Sequence, residues 1–332
     1  MRVMEGVATG RIKYVKAVSP RNAQGLVAEA YRQMQRDFVI SPPFTIHSSQ
    51  PEIMAGIWML VRETMLHGQV RREIKEAIAT TVSESNACPY CREVHGMLMR
   101  AYSAEKNDAE KKKAIQWAKA IRTPEEATLK TPPFSSSTAP EYLGTAFIFH
   151  YINRMVTIFV EGGLTPEMGA LTGLVRSGVF APVLWLVAHQ KVKPGTSLTL
   201  LPSAPLPQEL AWATPNKAIA EALARLATVI ETAGQAAIPA PIRSRVLTSL
   251  DNWHGEAMGI SRKWVEEAVA DLEEEHKALA RLLLLVALAA YQVDEETIKQ
   301  ARVTLREDKS LIAACAWAAF QASKRVTSWL VI

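Results

Sequence analysis

Apolar residues recur at three- and four-residue steps through most of this chain, the period of helices with one face turned inward. The pattern predicts helices over 24–38, 51–69, 71–86, 88–102, 108–121, 142–160, 165–176, 216–233, 239–250, 261–274, 276–291, 294–304 and 308–330. The two-residue alternation of a half-buried strand is scarce; LTLL at 198–201 is its best candidate, and it is short. The predicted fold class is all-α. Two stretches punctuate the helices. One is a loop rich in Pro, Ser and Thr at 122–142; the other is KVKPGTSLTLLPSAPLPQELAWATP at 191–215, with five prolines. The second reads as a connector between an N-terminal half, 1–190, and a C-terminal half, 216–332.

The two halves echo each other. At a constant offset of 206, Trp58 falls on Trp264, and KEAIATTVSESNACPYC (75–91) falls on RLLLLVALAAYQVDEET (281–297). At an offset of 200, Asp108 and Trp117 pair with Asp308 and Trp317, and at 171 NRMVTIFV (153–160) matches KRVTSWLV (324–331). The expectation is a tandem duplication with a degenerate second copy. Cys88, Cys91 and Glu76 of the first copy become Asp294, Thr297 and Leu282 in the second. Trp58 and Trp264 are expected as matching core residues.

Composition narrows the function classes. With 48% apolar and 21% charged residues in 332, the chain reads as globular. The net charge of +5 is spread thinly, and Lys111-Lys112-Lys113 follows Glu110 on a solvated helix face, so no nucleic-acid partner is expected. The run from Leu282 to Ala290 is far shorter than a membrane span, and the N-terminal stretch lacks the apolar core of a signal peptide. Three cysteines do not make a secreted disulfide framework, which points to the cytoplasm. Apolar helices such as 281–290 call for partners, so a homo-oligomer, a dimer or trimer, is expected. There is no Gly-rich phosphate loop to hold a nucleotide or flavin.

The chemistry concentrates in SNACPYCREVH, residues 85–95. On a helix Cys88 and Cys91 share one face within disulfide range. With Ser85 or Asn86 as N-cap and Pro89 in the first turn, both thiols would sit at a helix N-terminus, where a thiolate is favoured. His95 follows Cys91 by one turn and could exchange a proton with it. Glu76 lies on the preceding helix, from which an antiparallel return could bring its carboxylate to the imidazole. Zinc is a rival, but Cys88, Cys91 and His95 lack a fourth ligand, and His47, His67, His150, His189, His254 and His276 are isolated. A structural disulfide would need neither His95 nor Glu76. CPYC is also the redox tetrapeptide of glutaredoxins, but those place it after a strand, and here the upstream run reads as helix.

The spacing E76-AIATTVSESNA-CPYC-REV-H95 resembles the motif of the alkylhydroperoxidase D-like family, within the carboxymuconolactone decarboxylase superfamily. The resemblance spans about residues 50 to 105; FIFHYINRMVTIF (147–159) is similar to a later helix of such proteins, and the second half is a weaker echo. It implies an all-helical oligomer that reduces hydroperoxides through a redox-active Cys88–Cys91 disulfide, without another cofactor, using a dithiol protein or small thiol as reductant. It implies Cys91 as the attacking thiol, Cys88 as the resolving one, and His95 with Glu76 as the proton relay. The family often has a histidine between the cysteines, where this chain has Tyr90. Tyr90, His150 and Arg154 are candidate pocket residues, and Cys315 is expected to be a buried inert thiol. Two other functions stay open: a lactone-processing or decarboxylating enzyme of the wider superfamily, and a non-catalytic redox sensor or scaffold.

Overall fold

The computed structural model describes residues 11–102, 108–162 and 192–330. Helices dominate: α1 Gly25–Asp37, α2 Pro42–Thr45, α3 Pro51–Met65, α4 Arg72–Ser85, α5 Pro89–Tyr102, α6 Ala109–Ala120 and α7 Ala139–Phe159 in the N-terminal half. After the connector come α8 Lys217–Ala237, α9 Ala240–Asn252, α10 Lys263–Val269, α11 Glu274–Leu288, α12 Glu295–Ala301 and α13 Asp308–Ser328. Among the described residues there is no strand, only an isolated bridge between Ile12 and Val160. The class is all-α. The helix expected at 165–176 lies outside the described residues.

Local chemistry sets the helix ends. Asp108 caps α6 by accepting from the Lys111 amide, and Asn216 caps α8 by accepting from that of Ile219. Pro51 and Pro140 stand in the first turns of α3 and α7, where no intrahelical N–H is lost. The LTLL segment is not a strand. Leu198–Leu200 forms a 3-10 turn, and Leu200 and Leu201 are buried in the core. With no strand alongside, burying leucine side chains outweighs an unpaired ladder.

One core runs through both halves. α7, buried along nearly its whole length, packs on α3 and α4 from its own half and on α13 from the other. Packing partners also match across the halves: α3–α7 with α8–α13, α4–α7 with α11–α13, and α4–α5 with α11–α12. α3 lies directly on α8, where Gly56 leaves no room for a Cβ against Leu226, and Gly234 of α8 does the same against Trp317. Trp58 is fully buried on α3, whereas Trp264 is half-buried on short α10, so the two tryptophans do not occupy equivalent core positions.

The connector is pinned down. Arg62 of α3 donates to the Lys193 carbonyl and the Thr196 hydroxyl, while Glu63 accepts from the Gly195 amide (2.9 Å) and the Ser197 hydroxyl (2.8 Å). The apolar run of α11 is covered inside the chain: Leu282 to Leu285 are fully buried against α9, α10 and α13. The partners that this apolar run calls for are thus helices of the same chain. Among the described residues, no helix is long and apolar enough to cross a membrane.

Candidate functional site

The cysteines sit where α4 turns into α5. α4 ends at Ser85, and Asn86 is its C-cap. Ala87 then adopts a left-handed backbone with φ of 52°, unusual for a residue with a Cβ. That turn makes Cys88 itself the residue before Pro89, the first of α5, so the cap is the thiol and not Ser85 or Asn86. The Cys88 carbonyl accepts the first intrahelical bond from the Arg92 amide (3.0 Å).

Both cysteines are free thiols, each 1% exposed. Their environments push them apart. Burial pushes the Cys88 thiol up, but the Cys91 thiol, the Cys91 backbone N–H, Thr157 and Asn153 favour its anion and bring it below the ordinary value. Burial pushes Cys91 well up, and the neighbouring Cys88 adds to the shift. Of the two thiols, Cys88 is the one whose surroundings favour the anion.

Glu76 and His95 are brought together. The antiparallel packing of α4 and α5 sets His95 Nδ1 2.6 Å from Glu76 Oε2, and Arg72 Nε donates to the other carboxylate oxygen at 2.6 Å. Burial opposes the Glu76 anion, but the Arg72 and His95 charges hold its carboxyl below its usual range. Phe149 of α7 meets the His95 ring edge-to-face, centroids 4.5 Å apart, and fixes its orientation. With Nδ1 committed to Glu76, Nε2 is left to exchange a proton.

Tyr90 is buried beside the thiols, and burial, then the two cysteine charges, push its phenol up. It can donate a hydrogen bond but cannot shuttle protons near neutral pH. His150 and Arg154 lie on α7. Asn86 Nδ2 donates both to His150 Nδ1 and to Asn153 Oδ1, each at 3.0 Å, and Asn153 Nδ2 donates to Ser83 Oγ (3.0 Å). Burial is also the first cause raising the pKa of Cys315, deep in α13. Among the described residues the group of three close metal-ligand atoms is Glu273, Glu275 and His276 at the surface, not Cys88, Cys91 and His95.

Sequence reasoning missed Asn153, Thr157 and Arg72, and read Asn86 only as a helix cap, not as the link between His150 and Asn153. A signal was there: His150, Asn153, Arg154 and Thr157 fall at helical spacing in the C-terminal, otherwise largely apolar part of α7, and Asn153 and Thr157 face the thiols. Thr157 Oγ1 is buried without a hydrogen-bond partner, which suits a hydroxyl kept for sulfur.

No protein-family model matches the chain. It is 34% identical over 337 aligned residues, covering 96% of this chain and 95% of the other, to a Mycobacterium tuberculosis (strain ATCC 25618 / H37Rv) protein named alkyl hydroperoxide reductase Rv2159c. With the paired cysteines and the Glu76–His95 contact on the α4–α5 hairpin, that full-length similarity shows that the chain belongs to the alkylhydroperoxidase D-like family.

Proposed function

We propose that the protein reduces hydroperoxides with a dithiol at Cys88 and Cys91. The observation that carries this reading is the pairing of two buried thiols of opposed acidity with a hydrogen-bonded Glu76–His95 couple on the same hairpin. The name of the mycobacterial relative supports the substrate class.

Cys91 gives its proton to His95, whose charge Glu76 stabilises. Its thiolate attacks the distal peroxide oxygen; the O–O bond breaks, the alkoxide takes the proton from His95, and Cys91 becomes a sulfenic acid. The Cys88 thiolate attacks that sulfur, forms the disulfide and expels hydroxide, which is protonated to water. An external dithiol returns both thiols. The raised Cys91 makes the relay necessary, and the stabilised Cys88 is a ready resolving nucleophile and a good leaving group on reduction.

The same reading treats the chain as a doubled unit with one working site. The matched helix packing supports it, and so does Asp294, which caps α12 by accepting from the Thr297 amide at 2.9 Å. Asp294 and Thr297 thus stand as cap and third residue where Cys88 and Cys91 stand in α5.

The test is peroxide turnover with a dithiol donor. Cys91→Ser abolishes consumption; Cys88→Ser permits a single turnover and leaves a trappable sulfenic acid. The reverse pattern exchanges the two roles, and undiminished multiple turnover in both variants removes the proposal.

A further inference from the structure

On α7, one turn from the residues that face the thiols, lies a buried cation with no anionic neighbour among the described residues. Arg154 is 6% exposed; its Nε donates to the Ala287 carbonyl (2.9 Å) and its Nη1 to the His150 carbonyl (2.7 Å). Among the described residues, its hydrogen bonds run from Nε and Nη1 to backbone carbonyls, and no carboxylate lies within ion-pair distance. The nearby Arg122 does not supply an anion either. It donates to the carbonyls of Ser85, Gly255 and Glu256 and lies over the Trp253 ring. A guanidinium taken out of water without a counter-ion is costly, and the cost is recovered when an anion arrives.

The second observation is His150, 1% exposed, one turn before Arg154. Because its Nδ1 accepts from Asn86, its ring proton belongs on Nε2, and Nε2 is buried with no partner. Among the described residues, one helix turn therefore holds a buried guanidinium without a carboxylate and a ring N–H without an acceptor. Asn86 ties His150 to Asn153, which faces the cysteine sulfurs, so this turn adjoins the reactive pair. Burial, then Arg122, lower Arg154 to about 9, in keeping with a cation that lacks its partner.

We propose that Arg154 and His150 form an anion-binding subsite that takes the carboxylate of an acid-bearing hydroperoxide. The planar fork of a guanidinium matches a carboxylate, and an imidazole N–H completes the contact. This rests on the hydroperoxide-reductase reading for its substrate, but the subsite itself can be read without turnover.

The experiment titrates octanoate, methyl octanoate and inorganic phosphate into the reduced wild-type protein by calorimetry. Octanoate binds, with the ester and phosphate about tenfold or more weaker. Arg154→Gln loses that preference; should that variant fail to fold by circular dichroism, Arg154→Lys keeps the charge, loses the fork and weakens octanoate alone. Absence of octanoate binding to wild type, or equal affinity for acid and ester, overturns the subsite. Phosphate binding as tight as octanoate overturns its carboxylate assignment. A matched pair, an acid hydroperoxide and its methyl ester, then reads the substrate class: the subsite gives the acid a lower KM at similar kcat. If neither is reduced while octanoate binds, the subsite stands and the reductase reading falls.

Discussion

At the scale of single residues, the carboxylate of Glu76 does two things. One oxygen holds the Arg72 guanidinium and the other the His95 ring, so removing its charge disturbs both a buried ion pair and the proton acceptor. Glu76→Gln keeps the volume and an acceptor for Nδ1 but cannot stabilise a charged imidazole. Peroxide turnover falls by about 10²-fold with a near-normal circular dichroism spectrum. Full activity would take the pair out of the reaction. This contact was legible beforehand because the motif spacing places a helical pair on one antiparallel hairpin. Asn153, Thr157 and the link that Asn86 makes were not. A polar residue in a helix reads as solvated until the packing shows which face it is on, and only the burial of α7 on nearly every side reveals that Asn153 and Thr157 face the thiols.

At the scale of elements, the helices owe their spacing to small residues. A Cβ on Gly234 of α8 would overlap the Trp317 side chain of α13, whose indole N–H is committed to Glu231 Oε2 at 3.0 Å. Gly234→Ala therefore destabilises the protein by about 1–3 kcal/mol in spite of the better helix propensity of alanine. Urea denaturation measures it, and a variant as stable as wild type would show that α8 and α13 part at little cost. Helix existence was readable from periodicity nearly everywhere, but helix ends were not. The segment expected at 261–274 is helical only over Lys263–Val269, because α11 begins afresh after its cap at Glu273. Periodicity registers an apolar face and is blind to the cap that divides it.

At the scale of the whole molecule, one core spanning both halves makes them thermodynamically one body. Distant buried groups therefore report on a common equilibrium. His47 is fully buried, with Nε2 2.8 Å from the Tyr151 hydroxyl on α7, and burial lowers its pKa from 6.5 to about 4. The folded state keeps this ring neutral while the unfolded chain takes up a proton, so its contribution is intact above pH 6.5 and is lost as the pH falls towards 4. That single group removes roughly 3 kcal/mol across the window. His150, lowered further by burial and then by Arg154, acts in the same direction. Midpoints of urea unfolding between pH 7 and 4.5 should fall steeply, and His47→Gln should flatten the dependence; a flat wild-type profile would contradict the neutral, buried imidazoles. The expected pairing of Trp58 with Trp264 as matching core residues does not match their burial: Trp58 is fully buried, whereas Trp264 is half-buried on short α10.

The seclusion of all three sulfurs gives the chain two clocks. Cys88 and Cys91 lie at a hairpin turn on one flank, and Cys315 lies in the helix at the centre of the shared core. A reagent such as iodoacetamide must wait for the first two to be bared by a local opening and for the third by disruption of the entire core. Alkylation followed by peptide mass spectrometry should then give fast modification of the pair that barely responds to low urea. Modification of Cys315 should be slow and accelerate with urea as global unfolding does. Rates that rise together would mean the hairpin opens only when the molecule does, and access of any peroxide to the pair would be limited to the unfolding rate.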